Sequence, residues 1–545
     1  MPEYDVLVVG GGVAGLRAAL AAHEAGARVV VVSKTHPVRS HTVASPGGLN
    51  AELSPDDSAA RHAQDSEAAG RGLCETEALT VLSREAADEV LRLDHCGVPF
   101  ARTSAGTLAF RQLTGSGTPR AVFAADITGH VVLQTLYEQL LKAQIPSYDE
   151  WQVLSLLVDE GQCCGVVALD QRTSTLTAFT APAVILATDG AGRVYQRSTA
   201  ARSCTGDGMS FAYRAGVRLV DMEMVQYHPL GFHSHRAFAS EAALAEGALL
   251  CDSTGQPLLQ PNGPLLRDSL CRTMAQTAGA ARRDSPFLLD MRPIGKQVLT
   301  SRFPYLQRVA TELAGIALDR EPLPVRPLAH RLLGGIETIL DGVTTVPGLF
   351  ATGECAWHGV HGANGLAGNT LTSCVVFGRR AGVAAAAYAK TTRPAPVAQA
   401  LVTDEQRRVQ EIFARPAGED TVPKISHELT TVMDAHVGLV REREGLAVAA
   451  QELTALQQRY AQVSLRHHGK MYNAELLAFF ELASLLDVAA AIVNAAQTRT
   501  ESRGVHFRSD FPLTNDQEWR QHTLVSHGGN GPMVATRPVN ALLSP

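Results

Sequence analysis

The sequence predicts an α/β fold in which a doubly wound parallel sheet carries an inserted second domain and is followed by a helical region. Residues 4–9, 13–25 and 27–33 are predicted as strand, helix and strand around a glycine turn, which is the first β-α-β unit of such a sheet. Residues 232–325 are rich in loops and prolines, which indicates an insertion. Residues 403–498 contain few glycines and are predicted to be almost entirely helical.

Further elements are predicted between these landmarks. Residues 56–96 place charged residues among alanines and leucines, and residues 131–144 repeat apolar residues every three to four positions, so both are predicted as helical. Strands are predicted at 153–158, 165–169 and 183–187, a return to the parallel sheet at 348–354, a proline linker at 394–396 and an irregular polar tail at 501–524.

Length and composition limit the possible function classes. A chain of 545 residues is long enough for about three domains, and 45% hydrophobic and 19% charged residues are ordinary for a soluble globular protein. The net charge of −6 gives no basic footprint for nucleic acid. The longest apolar runs, such as residues 183–187, have the length of a strand, far below the ~20 residues of a membrane-spanning helix. No signal peptide precedes the first strand, so a cytoplasmic location without a direct membrane span is expected.

The nine cysteines contain no C-x-x-C pair. This pattern argues against an iron–sulfur cluster or a structural zinc within the chain, so no metal site is predicted. Reduced thiols also fit a cytosolic protein.

The first glycine turn has the pattern G-x-G-x-x-G of a dinucleotide-binding site. Gly10 allows the tight turn, Gly12 allows the backbone to approach a pyrophosphate, and Gly15 allows close packing of helix and strand. The phosphates would lie at the helix N-terminus, where N–H groups and the helix dipole favour anions. The acid expected to bind ribose at the end of the second strand is absent, since Ser33 and Lys34 stand there, and this weakens an interpretation as an NAD site.

Several further segments carry a family resemblance. Residues 361–371 have the sequence His-Gly-Ala-Asn-Gly-Leu-Ala-Gly-Asn-Thr-Leu, and residues 39–48 contain Arg-Ser-His-Thr followed by Gly-Gly. Together with residues 187–195, 205–209, 351–354 and 501–512, they resemble the succinate dehydrogenase, fumarate reductase and L-aspartate oxidase flavoproteins. The resemblance covers almost the whole chain. It implies a Rossmann-like FAD-binding domain with an inserted α+β capping domain and a C-terminal helical domain.

The resemblance also divides the chain into five segments. These are 1–231 and 326–393 for the two parts of the FAD-binding domain, 232–325 for the capping domain, 394–500 for the helical domain and 501–545 for the tail.

The resemblance implies FAD as the cofactor, and His41 lies at the position of the histidine that is covalently attached to FAD in the family. Thr370 and Leu371 would offer backbone N–H groups to the N1/C2=O end of the flavin. Pro46 and Asp189 depart from the family's glutamine and glycine. The implied cofactor-binding residues are Gly10, Gly12, Val13, Ala14, Gly15, Ser33, Lys34, Ser40, His41, Thr42, Gly47, Gly48, Val153, Ala187, Thr188, Asp207, Glu354, Thr370 and Leu371.

The substrate side of the resemblance rests on five residues. His228 and His330 match substrate-binding histidines, and Ser240 and Glu241 match a pair at the substrate and on the proton path. Arg267 falls where the family has its proton-transferring arginine. The implied reaction moves a hydride between flavin N5 and a carbon next to a carboxylate, with a proton exchanged at the opposite face. The implied catalytic residues are Arg267, Glu241, His228 and His330, and the implied substrate-binding residues are His228, Ser240 and His330.

Two positions of this site lack an arginine that the family has. Gly365 stands where the family's arginine grips a substrate carboxylate, and Leu244 replaces an arginine of the family's proton relay. Removing one partner of a buried charge pair costs about 2–5 kcal/mol, roughly a 30-fold to several-thousand-fold loss of affinity. The expected substrate is therefore a modified carboxylic or amino acid rather than plain succinate.

Other interpretations stay open. The chain could be the flavoprotein subunit of a succinate dehydrogenase or fumarate reductase, peripheral on a membrane, that passes electrons to an iron–sulfur subunit. In that case Arg193, Arg272 or Arg331 could supply the missing cation. An L-aspartate oxidase-like enzyme would pass its electrons to oxygen. A non-catalytic flavoprotein module is the fourth interpretation, although such a module has no reason to keep His228, Arg267 and the other site residues.

Overall fold

The computed structural model describes residues 4–258, 266–279, 285–392, 399–529 and 531–541. The strands are β1 Val6–Val9, β2 Val29–Ser33, β3 Leu49–Asn50, β4 Phe110–Arg111, β5 Ala121–Val122, β6 Ser147–Asp149, β7 Trp151–Asp159, β8 Gln162–Asp170, β9 Thr175–Thr180, β10 Ala183–Leu186, β11 Leu219–Val220, β12 Val225–Phe232, β13 Leu249–Cys251, β14 Phe287–Asp290, β15 Leu323–Leu332, β16 Gly335–Glu337, β17 Leu349–Ala351, β18 Ala356–Trp357, β19 Gln521–Gly528 and β20 Gly531–Pro538.

The α-helices connect and cover these strands. They are α1 Val13–Glu24, α2 Ala59–Gly70, α3 Thr76–His95, α4 Thr128–Lys142, α5 Asp207–Arg214, α6 Ala242–Ala245, α7 Arg267–Ala278, α8 Lys296–Arg302, α9 Pro304–Val309, α10 Asn369–Thr391, α11 Gln399–Ala414, α12 Val422–His436, α13 Arg443–Tyr460, α14 Ala474–Thr498 and α15 Asp516–Trp519.

A five-stranded parallel sheet in the order β17-β10-β1-β2-β6 forms the centre of the FAD-binding region. Its strands are runs of valine, isoleucine and leucine that are buried on both faces, as expected for a sheet covered by helices. Helices α1 and α10 pack together on this sheet. The predicted α/β fold class, with its first β-α-β unit, is confirmed.

The inserted region is built on an antiparallel sheet in the order β12-β15-β14-β13. Strands β12 and β15 are long and extend across the segment boundaries predicted near residues 231 and 326. The same two strands therefore belong to the capping region at one end and reach the FAD-binding region at the other. The five segment boundaries themselves stay a prediction.

The C-terminal region is helical, and α12, α13 and α14 pack together around one apolar cluster. Helix α14 bears on the expectation that the chain has no direct membrane span. Among the described residues it is the one helix whose length and mean hydropathy of 2.2 would suit a membrane span, but 78% of its apolar window is buried inside the fold. These are properties of a core helix as much as of a membrane helix.

The stretch predicted as helical at 56–96 forms two helices, because the chain turns at Arg71, which adopts a left-handed backbone with φ +57°. The expectation of an irregular tail at 501–524 was wrong in part. The tail contains the short helix α15 and, from Gln521, the strand β19, which forms a hairpin with β20 and pairs with β11. The predicted linker at 394–396 lies outside the described residues.

Candidate active site

A cavity of about 540 Å³ lies at the carboxyl ends of β1, β2 and β10. Gly10 has φ +117°, and a Cβ atom there would lie 2.1 Å from the carbonyl oxygen of Ala187, so only glycine fits the turn. Gly15 is equally close to the turn, since a Cβ atom would lie 2.0 Å from the Gly10 oxygen. Gly12 caps α1 without a side-chain hydrogen bond. An uncapped helix N-terminus beside a bare glycine turn fits the pyrophosphate of FAD.

Most of the predicted cofactor residues come together around this cavity. Val13, Ala14 and Gly15 form the first turn of α1 behind it, and the Thr42 hydroxyl lies 3.5 Å from the Val13 nitrogen. The predicted residues that line the cavity directly are Gly10, Gly12, Ser33, Lys34, Ser40, Val153, Ala187, Thr188 and Asp207.

Lys34 explains why no acid follows β2. Its Nζ lies 2.8 Å from a carboxylate oxygen of Asp207 and 2.8 Å from one of Glu481. Burial by itself would lower the pKa of Lys34, but the two carboxylates outweigh it and hold the pKa above its ordinary value. The charged lysine thus joins the cavity wall to α14 of the helical region, and the acids that the site needs come from elsewhere in the chain.

His41 begins a short 3₁₀ helix, His41–Ala44, that Ser40 caps through a hydrogen bond from the Thr42 N–H. The imidazole is buried, and its Nδ1 accepts a hydrogen bond from the Ala201 N–H at 3.3 Å. Burial, together with the charge of Arg331, lowers the pKa of His41 to about 4. The ring is therefore neutral at neutral pH, with Nε2 as the nitrogen left for a covalent bond.

A second cavity of about 480 Å³ contains the predicted substrate residues. Its lining includes Gly47, Gly48, His228, Ser240, Glu241, Arg267, His330, Arg331, Thr370 and Leu371. They come from β12, α7, β15, the start of α10 and the loops between them. The structure thus brings together every residue that the sequence assigned to catalysis or substrate binding.

The two histidines stand on neighbouring antiparallel strands, with Tyr227 of β12 opposite Ala329 of β15. Their ring centroids are 4.9 Å apart, and Phe238 packs against both rings. Thr199 Oγ1 lies 2.7 Å from His330 Nδ1, and the Leu230 N–H donates to His228 Nδ1 at 3.2 Å. Each histidine is therefore fixed through Nδ1.

Burial keeps both of these histidines uncharged. It lowers the pKa of His228 to about 3, against an opposing effect of Glu241, and it holds the pKa of His330 well below its ordinary value. Neutral imidazoles can donate or accept a hydrogen bond but supply no fixed positive charge. The cationic groups that line the cavity are thus arginines.

Arg267 is held on two sides. Its Nε and Nη2 lie 2.7 Å from Glu241 Oε2, and its Nη1 donates to Gln226 Oε1 at 2.8 Å. Gln226 in turn donates to Asn364 Oδ1 at 2.8 Å and to the Gly365 carbonyl at 3.0 Å. Burial raises the pKa of Glu241, but Arg267 and His228 outweigh it, so the carboxylate stays charged and paired.

The N-terminus of α10 faces the same cavity. Gly368 precedes the helix with φ +91° and without a side-chain cap, and Thr370 and Leu371 in the first turn line the cavity. Such a helix end favours negative charge at the flavin edge. The residues present therefore fit FAD at both ends of the molecule.

Glu354 and Asp189 lie between the glycine turn and the start of α10, which fit the two ends of FAD. Glu354 accepts hydrogen bonds from the Leu332 N–H and from Arg331, both at 3.3 Å, and burial raises its pKa to about 7. Asp189 has φ +61°, a left-handed backbone that explains why glycine is expected at this position and why aspartate is tolerated. Burial raises the pKa of Asp189 to about 6.

Sequence reasoning missed the residues that hold the site in place. Gln226, Thr199 and Phe238 are ordinary polar or aromatic residues whose importance depends on contacts between distant segments. Gln226 alone offered a signal, because it lies two positions before His228 and so shares its face of the strand. No group of three or more histidines, cysteines or acids able to bind a metal was found within the described part of the chain.

Comparison with known proteins establishes the family. A family model described as an FAD binding domain matches residues 5–371, and one described as the fumarate reductase flavoprotein C-terminus matches residues 426–544. The fumarate reductase flavoprotein subunit of Mycobacterium tuberculosis is 38% identical over 97% of this chain and 96% of its own. The chain belongs to the succinate dehydrogenase and fumarate reductase flavoprotein family. It is thus an FAD-dependent oxidoreductase.

Further relatives carry both names of the family. The succinate dehydrogenase flavoprotein subunit of Rickettsia bellii is 36% identical over 96% of this chain and 92% of its own. A structure of Escherichia coli quinol fumarate reductase superposes with a TM-score of 0.95 at 34% identity, covering 100% of this chain and 98% of that one. The Mycobacterium smegmatis Sdh1 complex superposes with a TM-score of 0.88 at 31% identity, covering 99% and 95%. The expectation of a modified acid finds no support among these relatives.

Proposed function

We propose that this flavoprotein interconverts fumarate and succinate as the catalytic subunit of a two-electron reductase or dehydrogenase. The main observation behind this proposal is that the Arg267–Glu241 pair lines one cavity together with His228 and His330. The near full-length similarity to fumarate reductase and succinate dehydrogenase subunits supports this substrate over a modified acid.

In this proposal Arg267 carries the proton. FAD, when bound, supplies or accepts the hydride. Arg267 gives a proton to the second carbon of fumarate and regains one that Glu241 relays to it across the contact at 2.7 Å; in the direction from succinate the same protons move the opposite way. An arginine with its high ordinary pKa is a weak acid in water, so the enclosed site and fixed geometry must supply the driving force. His228 and His330 hold the substrate by hydrogen bonds.

Electrons leave or enter through a partner in this proposal. The sequence has no C-x-x-C pair for a cluster of its own, which supports an iron–sulfur subunit as the partner. The chain would then reach a membrane through that partner, as a peripheral subunit, with α14 kept in the core of its own fold.

An anaerobic flavin experiment tests the reaction. The purified holoprotein is reduced with dithionite and mixed with fumarate, and the oxidised protein is mixed with succinate, while flavin absorbance is followed. We expect fumarate to reoxidise the flavin and succinate to bleach it. Bleaching by aspartate instead would favour the L-aspartate oxidase-like alternative. A flavin that responds to none of the three acids would favour the non-catalytic module.

We also propose that FAD is covalently bound through His41, whose Nδ1 is already engaged by Ala201. Acid precipitation should leave the yellow colour with the protein pellet. Colour in the supernatant would contradict the link, and a His41→Ser variant that still retains colour in the pellet would assign the link to another residue.

A further inference from the structure

The wall of the substrate cavity contains a second arginine, Arg331, whose side chain makes fewer and longer hydrogen bonds than that of Arg267. Arg267 is bound by Glu241 and Gln226 at 2.7–2.8 Å. Arg331 makes a single hydrogen bond within the described residues, from Nη1 to Glu354 Oε2 at 3.3 Å, which is long for a charge-assisted contact. Its side chain is only 12% exposed. A largely buried guanidinium with one loose partner has donors to spare for a ligand.

The charge of Arg331 is only partly offset by its hydrogen-bond partner. Burial raises the pKa of Glu354 to about 7, so this carboxyl is partly protonated at neutral pH. Asp189 also interacts with the charge of Arg331 and, with a pKa of about 6, offsets a further part of it. After burial, the charge of Arg331 is the next cause of the low pKa of His41 and of His361. Arg331 therefore offers an anion in the cavity its free N–H donors together with the part of its charge that remains.

Arg331 and Gly365 both lie close to His361. Arg331 lines the substrate cavity and also a neighbouring cavity of about 370 Å³, which His361 and Leu333 line as well. A Cβ atom on Gly365 would lie 3.3 Å from His361 Nδ1 and 3.5 Å from Leu333 Cδ2. The His361 Nδ1 is itself buried without a hydrogen-bond partner. Arg331 and Gly365 thus lie near the same residue, His361, although they belong to two different segments of the chain.

The other two candidate arginines lie elsewhere. Arg272 donates to the Gly504 carbonyl at 2.9 Å and stacks over Phe507, along a different cavity of about 290 Å³. Arg193 has its low pKa from burial and from the charges of Arg236 and Arg202, which are not part of the substrate cavity wall. Of the three, Arg331 is the one that lines the substrate cavity.

We propose that Arg331 binds one carboxylate of a dicarboxylate substrate and so supplies from β15 the cation that Gly365 lacks. This inference rests on the proposed function, because a dianion needs a cation besides the Arg267–Glu241 pair, whose charges largely cancel. It also explains how the chain can keep the substrate of its relatives without an arginine at position 365. Arg331 is a substrate-binding residue in this view, and Arg267 remains the proton carrier.

Calorimetric titration of the oxidised holoprotein tests the role of Arg331 without turnover. The probes are malonate, which has too few carbons to be dehydrogenated between its carboxylates, and malonamate, in which a neutral amide replaces one carboxylate. We expect Arg331→Met to weaken malonate binding by about 30-fold or more and to leave malonamate within about threefold. Arg331→Lys keeps the charge and loses the planar fork, so an intermediate loss of about 3- to 10-fold is expected. Arg272→Met is the matched control and should bind both probes as the unmodified protein does.

The possible outcomes separate this inference from the proposed function. Unchanged malonate affinity in Arg331→Met, with or without a shifted flavin potential, would overturn the role of Arg331 and leave the proposed function standing. An unmodified protein that binds no malonate and does not respond to fumarate would overturn both. The double variant Arg331→Met/Gly365→Arg moves the arginine to position 365 and should bind malonate at least tenfold more tightly than Arg331→Met does. If Arg331→Met does not retain FAD, the neutral and polar variant Arg331→Gln decides, since unchanged affinity for malonate in that variant would overturn the role of Arg331.

Discussion

The cofactor cavity lies at the carboxyl ends of three adjacent parallel strands, and its shape depends on glycines that bring backbone segments into contact. The substrate cavity depends instead on side chains from two antiparallel strands, a helix start and several loops. Ligands of open α/β sheets commonly bind in the crevice at the carboxyl ends of the strands, which is where the cofactor cavity lies. We therefore expect the cofactor end to tolerate almost no change in backbone and the substrate end to tolerate the exchange of one charged side chain for another.

The largest effect should come from Arg267, the residue on which the substrate cavity depends most. Arg267→Gln removes the proposed proton carrier and leaves Glu241 buried without its partner, so kcat for the proposed reduction of fumarate should fall by about 10³-fold or more while FAD is retained. The measurement is the rate with a reduced dye as electron donor, together with the flavin content. Arg272→Gln, five residues further along α7, should change kcat less than about threefold, and equal losses in both variants would contradict a specific role of Arg267.

The next largest effect tests the backbone of the cofactor cavity. Gly10→Ala puts a Cβ atom 2.1 Å from the Ala187 oxygen at φ +117°, and should reduce both FAD content and the free energy of unfolding, the latter by more than about 3 kcal/mol. Gly26→Ala is the matched control, because Gly26 has φ +88° but no atom within 4 Å of its added Cβ. It should cost only about 1 kcal/mol and keep its FAD. Similar results for the two variants would contradict the steric explanation.

These two variants also mark what a sequence can predict. The close spacing of Gly10, Gly12 and Gly15 indicates the turn, although the oxygen that excludes a Cβ atom at Gly10 belongs to Ala187, far away in the sequence. The contact of Gln226 with both Arg267 and Asn364 joins three distant segments, and nothing in the local sequence encodes it. The residues at the site could therefore be predicted from motifs, but the side chains that hold them could not.

Other features that the sequence did not reveal have the same origin. The break between α2 and α3 lies at a left-handed residue, Arg71, whose side chain pairs with Asp268 almost 200 positions later, and the hairpin of β19 and β20 is placed by pairing with β11. The missing arginine at position 365 left three candidate substitutes in the sequence, and only the fold distinguishes Arg331 from the other two by its place in the substrate cavity.

A smaller effect concerns the dependence of stability on pH, which should reflect the buried His228 of the substrate cavity. Burial holds the pKa of His228 near 3, whereas in the unfolded chain a histidine titrates near 6.5. The unfolded state therefore binds the extra proton below about pH 6.5, so the stability is fully present above that pH and is lost as the pH falls, by at most about 1.4 kcal/mol per pH unit for this residue.

Urea unfolding of the unmodified protein and of His228→Gln at pH 7, 6 and 5 measures this contribution. Glu354 and Asp189, whose pKa values are raised, contribute to the pH dependence of stability in the opposite direction. Their contributions cancel when the free energies of unfolding of the two proteins are subtracted. His228→Gln should show a flatter decline, and His130→Gln, at an exposed position, should follow the unmodified protein. A parallel decline in all three would contradict a neutral His228 in the folded state.

The smallest effect is expected at Gly365, and it sharpens the contrast with Gly10. A Cβ atom on Gly365 would lie 3.3 Å from His361 Nδ1 and 3.5 Å from Leu333 Cδ2, so a shift of a few tenths of an ångström in these side chains accommodates it. Gly365→Ala should therefore change the free energy of unfolding by less than about 1 kcal/mol and malonate affinity by less than about threefold. Thermal unfolding and calorimetry measure the two quantities. A loss as large as that of Gly10→Ala would mean that position 365 is glycine for the sake of the backbone, and an arginine there could not be exchanged with Arg331.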